Sequence, residues 1–366
     1  MKRSSFVIIF FFLSLFGFSQ TAKYSNEFLS IGVGARGLAL SNSLTAITND
    51  VTSGYWNPAG LSRMEQKYQL SLMHAAYFAN IANYDYAALA YKIDTSSAIA
   101  LSFIRLGIDN IMNTLFLVDN QGNFDYSRIS TFSTADMAFL LSYSYNFPQV
   151  KGLSVGGSAK IIKRNLGSFA DAWGFGIDAG IQYHRSGWHA GALLRDATST
   201  FNAWNYHLND EIIAVFEQTE NEIPTNSLEI TLPKLIIGGG KQVDFGKGFN
   251  ATFVLDCDFA FDKQRHTLIS GKVISLDPHF GMEFGYKNIV ALRTGIGNFQ
   301  QEKDFNDKTK TSLQINLGLG ICIKNIVTID YALTDIGNLS IAPYSHIFSL
   351  KLALNHFSKK PKKTDN

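Results

Sequence analysis

The chain is poor in charge. Asp, Glu, Lys and Arg make up 17% of its 366 residues, where an ordinary soluble domain holds about 25%. The net charge of +2 leaves no basic field for nucleic acid. Two cysteines, Cys257 and Cys322, are too few for a disulfide framework. Seven prolines stand against 29 Phe and 15 Tyr, a balance suited to long pleated strands. Beyond residue 20 no run reaches the roughly 18 apolar residues of a membrane-crossing helix. A mature chain that enters a membrane must then do so as a closed barrel, where every backbone polar group is paired.

Catalytic and metal-binding patterns are also missing. The eight histidines form no H-E-x-x-H and no ligand cluster, so no metal site and no cofactor are expected. His184 and His189 flank a turn and read as interfacial. Gly32-Val33-Gly34-Ala35-Arg36-Gly37 spells G-x-G-x-x-G, but no βαβ unit follows and Asp50 comes too early for the ribose-binding acid. Gly152-Leu153-Ser154-Val155-Gly156 spells G-x-S-x-G, yet Ser154 opens a long strand instead of a strand-to-helix elbow. No acid, base and nucleophile set assembles, so the chain is read as non-enzymatic.

What is present begins with a leader. Lys2 and Arg3 precede the apolar run Phe6 to Phe16, and Gly17-Phe18-Ser19 supplies small residues for cleavage near Gln20. This is a secretory signal peptide over residues 1–20.

Strict alternation then carries the fold. In Phe253 to Phe261 every odd position is apolar, while Asp256 and Asp258 fall on the even set. Leu313 to Ile323 sets Leu and Ile against polar or small residues. Trp173 to Tyr183, Phe280 to Lys287 and Phe348 to Asn355 do the same. A period of two means strands with one apolar and one polar face. A soluble sandwich shares that local pattern. Three features favour a transmembrane barrel: strands near the ~9–11 residues a tilted span needs, charge and glycine on the polar face as in a lumen, and aromatic residues at strand ends as in an interfacial girdle.

Strands are predicted at 67–78, 84–93, 97–107, 134–147, 151–165, 171–184, 187–196, 232–243, 248–261, 278–287, 288–298, 310–323, 326–335 and 345–355, about fourteen in all. Alternate connections are short, among them Asp94-Thr95-Ser96, Arg185-Ser186 and Lys324-Asn325. The others include long ones at 108–133, 197–231, 262–277 and 299–309. Short periplasmic turns alternating with longer outer loops mark a bacterial barrel. The expected architecture is an all-β transmembrane antiparallel barrel of about 14 strands over residues 67–357, in a Gram-negative outer membrane with lipid around it. Both termini then lie on the periplasmic side, and a basic tail follows at 358–366.

The phases put Cys257 on the lipid face and Cys322 on the lumen face. They turn Lys160, Asp178, Asp256, Asp258, Glu283, Arg293, Asp330 and Lys351 into the lumen. The reading favoured for these charges is mutual pairing, because buried ions demand partners. The other is a polar pathway or ligand contact.

Residues 21–66 do not alternate and read as a plug. The stretch "GARGLALSNSLTAITNDVTSGYWNPAGL" (34–61) resembles the N-terminal hatch of FadL-type outer-membrane transporters. More narrowly, "YSNEFLSIGVGARGLALSNS", "GSFADAWGFGIDAGIQY", "KNIVALRTGIG" and "VTIDYALTDIGNLSIAPYSHIFSLKLAL" resemble the PorV/PorQ family over most of the mature chain. The resemblance implies a fourteen-stranded FadL-like barrel. It also implies a hatch turn at Asn57, Pro58, Ala59 and Gly60, with Arg36 in the adjoining segment. Its functional implication is a role in type IX secretion, with secretion components or cargo C-terminal signal domains as partners. The alternative is a FadL-like transporter of hydrophobic small molecules. Ile111, Leu115, Phe116 and Phe124 of the 108–133 stretch would serve either as a partner surface or as a ligand groove.

Overall fold

The computed structural model describes residues 25–118, 121–261, 265, 267–271, 273–303, 309–336 and 344–356. The expected leader at 1–20 and tail at 358–366 lie outside them.

The strands are β1 Gln66–Tyr77, β2 Ala82–Lys92, β3 Ser97–Asn113, β4 Ser130–Asn146, β5 Leu153–Leu166, β6 Ala170–Arg185, β7 Trp188–Arg195, β8 Thr200–Tyr206 and β9 Ser227–Thr231. They continue as β10 Lys234–Gly246, β11 Phe249–Ala260, β12 Ile269–Ser270, β13 Ser275–Tyr286, β14 Val290–Lys303, β15 Thr309–Ile323, β16 Val327–Ile336 and β17 Ser345–His356. All pairings are antiparallel, and β1 pairs both β2 and β17, which closes the sheet on itself. Among the described residues the ring is a 14-strand antiparallel barrel.

Alternation explains why these segments form the wall. On β11, Phe253 and Leu255 face outward while Val254 and Asp256 are buried. On β15, Leu313, Ile315, Leu317, Leu319 and Ile321 are exposed and Asn316 is buried. A continuous outer belt of Leu, Ile and Phe has no stable place in water, and hydrocarbon is its natural surrounding. Cys257 shares the outward phase of Phe253 and Leu255, and Cys322 the inward phase of Gly320; both are free thiols.

Six turns at one end are tight. Lys287-Asn288 and Lys324-Asn325 each hold two successive residues at positive φ, the backbone of a two-residue hairpin that follows the strand twist. The opposite end carries the long connections 114–129, 207–226 and 261–274, with two tight ones at 78–81 and 167–169.

Two wall positions are interrupted. β7 pairs with Ala179–Arg185 of β6, and β8 with Ala170–Phe175. Between them Asp196 and Ser199 take positive φ of 55° and 58°. β9 and β10 are likewise parted by Leu232 and Pro233, where proline cannot donate to a ladder. The stretch expected as a loop at 197–231 therefore holds β8, a helix at Asp210–Gln218 and β9. The loop expected at 108–133 is shorter too. β3 runs to Asn113 and β4 starts at Ser130, so Ile111 is a strand residue paired with Phe132.

The inner segment, residues 25–65, winds through a 3-10 turn at Glu27–Leu29, short helices at Ala35–Ala39 and Ser53–Trp56, and a 3-10 turn at Pro58–Arg63. Val33, Leu40, Val51, Ala59 and Leu61 are fully buried in it. It packs against the inward faces of the wall and with them forms the core.

Candidate functional site

Inward charges tie the inner segment to the wall. Arg36 donates from Nε and Nη2 to the two carboxylate oxygens of Glu283 at 2.9 and 3.0 Å. Glu283 also accepts from Arg293 at 2.5 Å, and Arg293 donates to Asp330 at 2.6 Å. Lys351 donates to Asp50 at 2.6 Å. Asp256 accepts the backbone N–H of Thr45 at 2.8 Å. Lys160 reaches Asp178 at 2.8 Å and Asp196 at 2.5 Å. Burial alone would raise the Asp50 carboxyl. The Lys351 ammonium, the Arg36 guanidinium and the bond from Thr52 outweigh burial and hold it below the ordinary carboxylate range.

The Asn-Pro-Ala turn is a second anchor. Asn57 is fully buried. Its Nδ2 donates to the carbonyls of Thr45 at 2.9 Å and Ile181 at 3.1 Å, and its Oδ1 accepts from the N–H of Ala59 at 3.2 Å. Pro58 stands at the first position of the 3-10 turn, where its missing N–H costs nothing. Two wall glycines let this turn approach. A Cβ on Gly156 would lie 2.5 Å from the Pro58 carbonyl carbon, and one on Gly180 would lie 2.1 Å from Asn57 Oδ1. Trp56 Nε1 donates to the carbonyl of Val33 and Tyr55 to that of Leu29, so the segment is also stitched to itself.

Above the inner segment, toward the end with the long connections, lies a cavity of about 720 Å³. Its floor includes Ile31, Leu38 and Trp56 of the inner segment. One wall is apolar and comes from β1 to β3 with Tyr77, Leu106 and Ile108. Another comes from β10 to β15 and is polar. There Lys234 donates to Asp258 at 3.4 Å, and His279 Nε2 lies 3.9 Å from Asp258 and 3.7 Å from Asp277. An amide chain continues it: Asn298 donates to Gln314 at 3.0 Å, Gln314 to Asn316 at 3.1 Å, and Asn316 to Ser41 at 2.6 Å.

The residues expected to face the lumen thus divide. Lys160, Asp178, Asp256, Glu283, Arg293, Asp330 and Lys351 are engaged in pairs and hydrogen bonds, while Asp258 alone of the set lines this cavity. Ile111, Leu115, Phe116 and Phe124 do not line it. Sequence reading missed Asp277 because its strand was expected from 278, three residues after the observed start at Ser275. It missed His279 although that residue shares the inward phase of Glu283. The amides carry no charge to draw the eye, and only their phase could have marked them. His184 and His189 meet edge to face with centroids 4.3 Å apart, near the tight turns. Among the described residues no group of three or more His, Cys, Asp or Glu is arranged to hold a metal ion.

No protein-family model and no curated protein matches this chain. Solved structures do share its fold. It is similar to the CymD monoaromatic hydrocarbon channel with a TM-score of 0.55 at 13% identity, covering 90% of this chain and 99% of that one. The Pseudomonas putida toluene transporter TodX gives 0.55 at 13%, covering 91% and 98%. The Ralstonia pickettii toluene transporter TbuX gives 0.51 at 13%, covering 88% and 99%. The fold is the FadL-like fourteen-stranded barrel. Identity this low speaks of fold alone.

Proposed function

We propose that this barrel is an outer-membrane channel for hydrophobic small molecules, which it first takes up in the cavity above the inner segment. The observation that carries this reading is the cavity itself. At about 720 Å³ it falls within the ~300–1,000 Å³ of small-molecule sites, and it has an apolar wall from β1 to β3 and a mixed floor to which Ile31, Leu38 and Trp56 add apolar surface. The similar barrels named above are channels and transporters for such compounds, which supports the same reading. The secretion-associated reading rests on sequence resemblance alone.

The test is uptake. Cells lacking the chain and cells complemented with it are supplied with radiolabelled ethylbenzene, and initial accumulation is measured. Complementation should restore faster entry. Identical entry in both strains for a range of apolar compounds sinks the proposal.

A further inference from the structure

The cavity does not have the lining a pure hydrocarbon would call for. In the strand order around the ring, β2 stands opposite β11. The apolar residues Tyr77, Leu106 and Ile108 therefore look across the lumen at Asp258, Asp277 and His279. An apolar molecule filling this space would satisfy one side and strip water from the other without replacing its hydrogen bonds.

The polar side is rich in acceptors. Among the described residues, the carboxylates lining the cavity are Glu27, Asp258, Asp277 and Asp335, and the cations are Arg195, Lys234 and Arg265. That is four against three, His279 left aside. The charged and amide donors named here are turned onto groups of the protein itself, while the buried Tyr77 hydroxyl on the facing wall has no partner. Lys234 reaches Asp258, and Arg265 lies 3.6 Å from Glu27. Arg195 donates to the carbonyls of Leu29 and Tyr55 and stacks over the Tyr55 ring at 4.7 Å. The amides from Asn298 to Asn316 donate along their own chain. Asp258 accepts from Lys234 on Oδ2, and Asp277 keeps a buried Oδ1 without a partner; these are the acceptors left for an incoming group. A carboxylate would meet like charge there.

Resting on the reading of this cavity as the uptake site, we infer that its ligand is an amphiphile whose apolar body lies against Tyr77, Leu106 and Ile108 and whose hydrogen-bond-donating head, a hydroxyl or an ammonium, is held by Asp258 and Asp277. A site that bonds a polar head discriminates strongly against an analogue lacking it, because the buried acceptors are then left unpaired.

Binding to the full-length barrel in lipid nanodiscs, measured calorimetrically, tests this with four probes of one carbon frame: ethylbenzene, 4-ethylphenol, 4-ethylbenzylamine and 4-ethylbenzoate. At least one of the phenol and the amine should bind about tenfold or more tighter than ethylbenzene, and the benzoate should bind weakest. Tightening by the phenol marks a hydroxyl as sufficient, while tightening by the amine alone marks a cationic head. In Asp277→Asn and Asp258→Asn the advantage should shrink to about threefold or less. Unchanged ethylbenzene affinity in those variants reports an intact cavity. Ethylbenzene binding as tightly as both donors overturns the inference and leaves the hydrophobic-channel proposal standing. Benzoate binding tightest overturns it as well. Failure of all four to bind overturns both.

Discussion

At the scale of single residues, the lower lumen is held by ions whose partners lie far away in sequence. Asp50 and Lys351 meet although 301 positions separate them in sequence. Lys351→Met would leave the Asp50 carboxylate buried with its main partner gone. The expected cost is about 2–3 kcal/mol, below the ~3–5 of a fully buried pair because Lys351 keeps some contact with solvent. Urea unfolding followed by the heat-modifiable gel mobility of the barrel would measure it. The pair also sets a direction with pH. The folded carboxyl lies below its unfolded value near ~3.9, so its contribution is fully present above that pH and is lost as pH falls toward the folded value. Wild-type protein should lose stability below about pH 4. In Asp50→Asn that part of the loss should be absent, and an unchanged acid limb would contradict the assignment.

At the scale of elements, period-two alternation was enough to locate the fourteen wall strands, because one side of each faces hydrocarbon and the other a packed lumen. Leu317 is an outward residue near the middle of β15. Leu317→Arg should cost about 2–4 kcal/mol in a lipid bilayer, read from unfolding in vesicles. A cost near zero would mean this face does not meet hydrocarbon. What alternation could not locate were pieces too short or too broken to show a period. β9 has five residues. β8 is cut from β7 by two residues at positive φ, a backbone state that no side-chain pattern announces. The polar wall was half legible. Asp258 declared itself by charge and phase, whereas Asn298, Gln314 and Asn316 are neutral residues whose role depends on which strands become neighbours. The approach of the Asn57-Pro58-Ala59 turn to β5 was not legible either, since glycine on an inward face does not say what comes close to it. Gly156→Val should destabilise by about 1–3 kcal/mol or more, as its branched side chain would meet the Pro58 backbone. Melting equal to wild type would show that the turn has room to retreat.

At the scale of the whole molecule, the barrel has two halves of different character. The lower half is filled by the inner segment and its ion pairs, and the upper half holds the cavity. Reconstituted in planar bilayers, the protein should conduct ions far less than an unplugged barrel of the same strand count. A large, steady conductance would show that water passes beside the inner segment. The Arg36–Glu283 and Lys351–Asp50 pairs hold the inner segment against that side of the wall.

The ladder between β1 and β17 has a consequence for biogenesis. The innermost part of the molecule precedes every wall strand in the chain, yet some of its bonds reach β13 and β17, among the last to be made. A hoop already sealed would offer no gap through which so tightly fitted a kernel could be threaded. The kernel must therefore be in place before the hoop is sealed. The seam joining the first stave to the last is then the final ladder to zip, and contacts spanning so much sequence make that a slow step.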